Sequence, residues 1–158
     1  MDRRLISQIT KIGDMIKIPE EIINRFNLPN TAFLSGSRAM GFPREGSDWD
    51  VCIPNHLIAD IKDKCDNVKE SEYFEGFVTQ FGEYKVNFIP LHPLDMVCWI
   101  LATKTIADLN NTFEHTRVKE PAMRHGIFET FRGVFKTTIV YEGAEALDLI
   151  IEKLLADS

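Results

Sequence analysis

Asp48 and Asp50 are the residues of this chain whose type and spacing most plainly permit chemistry. Two carboxylates one residue apart at the head of a hydrophobic strand point to one face, because strand side chains alternate with period two. Like charges so close repel unless a cation or basic group joins them. Hard divalent cations such as Mg2+ take such oxygens, commonly one or two carboxylates together with substrate phosphates. Upstream, FLS runs as a short hydrophobic strand into Gly36-Ser37-Arg38. Glycine there lets the backbone approach a phosphate with no Cβ in the way. A helical turn from Ser37 to Met40 would expose N–H groups that favour anions. The Ser37 hydroxyl can hydrogen-bond a phosphate oxygen, Arg38 can neutralise its charge, and Ser47 leads into the carboxylate strand. Taken singly, each motif has a bland reading, an ordinary strand-to-helix turn or a pair of solvated acids. In series, with a strand on each side, they weigh against it.

The elements that must position these residues follow from periodicity. Residues 3–16 carry Leu5, Ile6, Ile9, Ile12 and Met15 at helical spacing. Pro19-Glu20-Glu21 starts a second helix to about Phe26, with proline and acids in its first turn, and 27–30 is a break. Strands are expected over 31–35 and 48–53, and a helix over 55–66 with Asn55 as its cap. The aromatic and β-branched runs 73–81 and 84–91, separated by Gly82-Glu83, read as a hairpin. From Pro93 the pattern is helical, over about 94–109, 120–136 and 143–156. Helices, a small mixed sheet and helices again make an α+β chain, one domain with a core over about 31–91 and a helical C-terminal region over 92–158.

The stretch 33–54, FLSGSRAMGFPREGSDWDVCIP, resembles the signature of the DNA polymerase β-like nucleotidyltransferase superfamily, most of all its minimal-nucleotidyltransferase members. The likeness is strong over 31–54, loose to Leu91, and absent from the terminal helices. It implies a triphosphate held by Gly36 and Ser37, with one or two Mg2+ (or Mn2+) ions on Asp48 and Asp50. It implies transfer of a nucleoside monophosphate from an NTP, ATP first among them, to a hydroxyl of RNA, protein or a small molecule. Members of the family normally carry a third carboxylate on a later strand, and here the matching position is Asn87 in YKVNFIP. An amide offers a neutral carbonyl oxygen and no base. Asn87 can therefore still ligate a metal, while activation of the acceptor is weakened. Glu83, of the same strand parity, and Glu75, on the neighbouring strand, are the acids placed to substitute for it. Two further readings stay open beside the enzyme. One is a catalytically silent nucleotide-binding module. The other is an interaction protein such as the antitoxin-like half of a two-component pair, since minimal nucleotidyltransferases often work with a helical partner protein.

Lys85 shares the face of Asn87 and can contact a phosphate or pair with the aspartates; a surface lysine is the plain alternative. Arg44 is a loop residue. In the locally basic stretch 115–136, Arg124, Arg132 and Lys136 fall near one side of a helix. Ile127, Phe128, Phe131, Val134 and Phe135 form its apolar stripe. His115 and His125 have no metal-ligand spacing with cysteine, and His92 opens the helix after Pro93. Trp49, between the aspartates, faces the other side of the sheet and is expected to pack there.

Composition bounds the rest. With 158 residues, 44% hydrophobic and 27% charged, the chain can bury a proper core. A net charge of −6 argues against a dedicated, sequence-independent DNA coat. Cys52, Cys65 and Cys98 form no C-x-x-C pair, which suggests reduced thiols in a cytoplasmic protein. The N-terminal stretch has no signal-peptide pattern. No apolar run approaches the roughly 20 residues of a membrane span, and 96–102 is read as a core helix.

Overall fold

The computed structural model describes residues 17–41, 43, 45–71, 76–112, 121–143, 145, 148, 149 and 152, with side chains at 110–112 and 121–124 left aside. The expected helix 3–16 lies outside them, as do Arg44, Glu75 and His115 and most of the expected helix 143–156.

Helix α1 (Glu20–Phe26) begins directly after Pro19, whose carbonyl accepts the first N–H groups from Ile22 and Ile23 at 3.0 and 3.2 Å. It ends at Asn27, which takes the left-handed conformation at φ 50, a region asparagine tolerates better than most residues. Strand β1 (Phe33–Ser35) runs into the short helix α2 (Gly36–Met40), and β2 (Trp49–Pro54) follows the loop. A 3-10 turn (Asn55–Leu57) leads into α3 (Ile58–Asp63). Strands β3 (Lys69–Glu70), β4 (Phe77–Phe81) and β5 (Tyr84–Leu91) complete the sheet. Helices α4 (Pro93–Thr112) and α5 (Pro121–Glu142) follow the sheet. The architecture is α+β, with a five-stranded mixed sheet in the order β1-β2-β5-β4-β3 and helices on both sides.

Strands β2 and β5 pair in parallel at the centre, and the other three pairings are antiparallel. Period-two alternation divides the side chains cleanly. Leu34, Val51, Ile53, Val86 and Phe88 face one way, into a core shared with Ile18, Ile22 and Phe26 beside α1 and Ile61 of α3. Cys52, Ile89 and Leu91 face the other way and pack against Trp99, Ala102 and Ile106 of α4 and Phe128 of α5. Helices α4 and α5 then pack on each other through Val97, Leu101, Phe135 and Ile139.

Five expectations need correction. The expected strand 31–35 starts only at Phe33, and β2 starts at Trp49 and extends to Pro54. Asn55 does not cap a helix. It lies inside the 3-10 turn, and its side-chain amide pairs with Nδ1 of His92 at 3.2 Å, drawing the start of that turn towards the start of α4. The regular helix there is confined to Ile58–Asp63. Val134 is not part of the buried stripe of α5 but 57% exposed. The covered face runs instead through Ile127, Phe128, Phe131, Phe135 and Ile139, a ridge of three- and four-residue steps from which position 134 is rotated away. Strand β3 was not foreseen, because two exposed residues carry no hydrophobic pattern. His92 does open α4, its carbonyl accepting from the N–H of Met96 at 2.8 Å. Among the described residues no helix is long and apolar enough to cross a membrane.

Candidate active site

The register of the three strands gathers the sequence candidates. Ser35 of β1 lies opposite Asp50 of β2, and Asp50 lies beside Asn87 of β5. The face is the one that α4 covers further along, but at the heads of β2 and β5 it carries Asp48, Asp50, Lys85 and Asn87 instead of apolar side chains.

Gly36 sits against Asp50. Its φ of +69 is in the left-handed region, and a Cβ built on it would lie 1.8 Å from Oδ2 and 2.7 Å from Cγ of Asp50. No side chain fits there, so the glycine is required both by its backbone conformation and by the carboxylate that occupies the space. The turn and the acid pair, apart in sequence, thus form one locality. Asn87 donates from Nδ2 to Oδ1 of Asp50 at 3.1 Å. Its own carbonyl oxygen is buried and has no hydrogen-bond partner, and the residue is only 6% exposed. A buried acceptor left unmade costs about 1–3 kcal/mol.

The electrostatics follow from that packing. Burial pushes the Asp50 carboxyl up to about 6; the Asn87 amide lowers it again in part, and the neighbouring Asp48 charge raises it. Asp48 is paired with Lys85, Oδ1 to Nζ at 3.3 Å, and the lysine remains half exposed. Two carboxylates are donors of the kind a hard, oxygen-seeking cation takes, whereas the Asn87 amide turns Nδ2, not its carbonyl oxygen, towards Asp50. Among the described residues no three of His, Cys, Asp and Glu gather closely enough to hold a metal. Glu83 stands exposed in the turn before β5.

No protein-family model, curated protein or solved structure matches this chain. The functional reading must therefore rest on the geometry of the site and on its sequence motif.

The other candidates take up positions of their own. Arg38 turns across its loop, where Nε and Nη2 donate to the carbonyl of Ser47 at 3.1 and 2.9 Å. Its guanidinium lies over the Trp49 ring at 4.1 Å. Arg38 and Ser47 thus clamp the approach to Asp48, and Trp49 packs against the α1-side core and meets Tyr84 edge-on at 5.8 Å. Ser37 is half-buried in α2, its carbonyl accepting from Gly41. In α5, Arg132 pairs with Glu129 and lies 5.4 Å from the Trp99 ring, and Lys136 pairs with Asp95 at 3.3 Å. These two cations are engaged with α4 and α5 rather than gathered with the acids. His125 is exposed. The three cysteines carry free thiols, and burial pushes up those of Cys52 and Cys98, the latter to about 11. Such thiols are poor nucleophiles.

One buried arrangement beside the site is not visible in the sequence. Trp99 donates from Nε1 to Oγ of Ser35 at 2.9 Å. The Thr103 hydroxyl donates to the Trp99 carbonyl at 2.9 Å. Its single proton is then spent, so in the 2.8 Å contact between Ser35 and Thr103 the serine must be the donor. The three groups form a closed, buried ring that ties the residue before Gly36 to α4. The spacing of Trp99 and Thr103 on one helix face is visible in sequence, but nothing local shows that Ser35 is their partner.

Proposed function

We propose that this protein is a metal-dependent nucleotidyltransferase that moves a nucleoside monophosphate from an NTP, ATP first, to a hydroxyl acceptor in the cytoplasm. The observation that carries the reading is the Asp50 carboxylate lodged where a Cβ of Gly36 would be. The glycine turn that the reading assigns to phosphate thus adjoins an acid suited to the cation that accompanies one. The likeness of residues 31–54 to the polymerase β-like superfamily supports the same reading.

In the reaction the acceptor oxygen forms a bond to the α-phosphorus, and the bond from that phosphorus to the bridging oxygen breaks. Pyrophosphate leaves with the electron pair, and the hydroxyl proton passes to solvent. Asp48 and Asp50 would hold Mg2+ or Mn2+, joined by the Asn87 carbonyl oxygen if its amide turns over, and the ion when bound would offset the charge of the triphosphate. Gly36 and Ser37 would hold its terminal phosphates. Lys85 is the nearest cation for a phosphate oxygen, while Arg38 and Ser47 hold the loop that leads to Asp48.

Asn87 favours a second reading, a silent module that binds a nucleotide without turning it over, because the amide cannot take the acceptor proton. Calorimetric titration with each NTP, with and without Mg2+, tests both. Metal-dependent binding is expected in the wild type and none in Asp50→Ala. Binding without pyrophosphate release from any hydroxyl acceptor would favour the silent module, and absence of binding in the wild type would overturn both.

A further inference from the structure

Helix α5 packs through one side. Phe128, Phe131, Phe135 and Ile139 lie against α4 and the cores beside it. On the opposite side, the turns from Gly126 to Tyr141 carry Gly126, Thr130, Gly133, Thr137 and Val140 in steps of four and three, and no charge. A solvated helix face is ordinarily charged or polar. Here Val134, Val140 and Tyr141 are instead each more than half exposed. The Thr130 and Thr137 hydroxyls donate to the carbonyls of Gly126 and Gly133 at 2.9 and 3.0 Å. Their protons are spent within the helix, so water can leave this face without orphaning a donor. Neither glycine has a left-handed backbone, and a Cβ on either would meet nothing within 4 Å among the described residues. Each costs the helix about 1 kcal/mol against alanine, and no contact of α5 with α4 calls for it.

We propose that this face of α5 docks on the same face of a second copy of the chain, antiparallel, about a two-fold axis near Gly133. Charge complementarity selects that occupant. Positions 126, 130, 133, 137 and 140 have the spacing of a coiled-coil seam. One margin of the seam carries Glu129 and Lys136, and the other carries Ile127, Val134 and Tyr141. In an antiparallel pair like margins meet, as a self-complementary two-fold interface requires. Glu129 then faces the partner's Lys136, twice over. Val134 faces the partner's Val134, and Ile127 faces the partner's Tyr141. Along the seam Thr130 meets the partner's Thr137, and glycine meets glycine at the axis, where two backbones can approach closely. A parallel pair would set the charged margin against the apolar one. Glu129 and Lys136 have partners within the chain, Arg132 and Asp95, yet their side chains remain 35% and 50% exposed and open to a second contact. So short a seam lies at the low end of interface sizes, below about 1,200 Å2 in total. Dimerisation is therefore expected on the order of tens of micromolar.

Sedimentation equilibrium of the full-length protein, from about 1 to about 300 µM, reads the association. A reversible monomer–dimer equilibrium is expected. Gly133→Glu should abolish it, because two carboxylates would meet at the axis. The open space over Gly133 should leave that variant with the wild-type circular dichroism and no lower melting midpoint. Lys136→Glu alone and Glu129→Lys alone should each weaken dimerisation roughly tenfold, since the reversed pair occurs twice. Mixed in equal amounts, these two variants should pair again, because each supplies the charges that the other lacks. A wild type that stays monomeric at about 300 µM would overturn the proposal and leave the face to residues 3–16 or to another protein. A Gly133→Glu protein that dimerises like the wild type would place the interface elsewhere. Charge variants that pair no better mixed than apart would overturn the antiparallel register.

Discussion

The same face of the same two strands is polar at one end and apolar at the other. At the heads of β2 and β5 it bears Asp48, Asp50, Lys85 and Asn87; a few residues on it bears Cys52, Ile89 and Leu91, packed beneath Trp99, Ala102 and Ile106. Helix α4 covers only the second half. Where it lies, burial of apolar surface stabilises the fold at about 25 cal/mol per Å2. Where it does not, a half-buried carboxylate and an unpaired amide oxygen are kept at a cost. A fold retains such groups against its stability when a ligand will satisfy them.

The contrast can be broken most violently at the core. Phe88 is fully buried, edge-on to Phe26 at 5.0 Å and tilted against Phe77 at 5.4 Å. Phe88→Ala should destabilise by about 3–5 kcal/mol, seen as a lower midpoint in chemical denaturation.

Gly36→Ala strikes the polar end. The left-handed backbone alone costs about 1–2 kcal/mol for a residue with a Cβ, and the methyl group collides with Asp50. The expected result is a moderate loss of stability together with loss of Mg2+-dependent nucleotide binding, read by calorimetry on protein that remains folded by circular dichroism.

Asp50→Asn should act in the opposite sense on stability. The folded carboxyl keeps its proton up to about 6, above the ordinary 3.8. Between those values the folded state binds more protons than the unfolded one, and stability falls as pH rises. At pH 7 without metal the variant should therefore be more stable than wild type by roughly 2 kcal/mol. The gap should close as pH falls towards 4, measured by thermal melts across that range. A stabilised protein that no longer binds metal and nucleotide would be the sharpest sign that the site is kept for function.

The smallest expected effect tests the hidden tie between the two ends. Thr103→Val leaves the buried Ser35 hydroxyl without its acceptor and should cost about 1–2 kcal/mol. If the ring positions Gly36, nucleotide affinity drops further than in a variant equally destabilised elsewhere, such as Ile106→Val.

Much of this was legible from residues alone. Hydrophobic runs marked β2 and β5, and period two put Asp48 and Asp50 together on one face of the first strand and Lys85 and Asn87 together on one face of the second. Gly36 was singled out by its place after a strand. Pattern fails where an interaction joins distant positions or where burial depends on a neighbouring helix. The sequence did not reveal that Arg38 reaches back to Ser47 and Trp49, that Val134 turns to solvent, or that Asn55 is drawn to His92.

The sequence by itself determined the alternation, most of the strand and helix types, the two acids on one face and the presence of an amide at position 87. These depend on local geometry and on residue chemistry. Only the tertiary structure decided that β2 and β5 run side by side in parallel, setting Asp50 against Asn87 and leaving the amide oxygen unpaired. It also decided that Ser35 hangs from Trp99 and Thr103, far along the chain. Register between strands and the seat of a helix on a sheet are settled by the packing of the whole core, which no local stretch of residues contains.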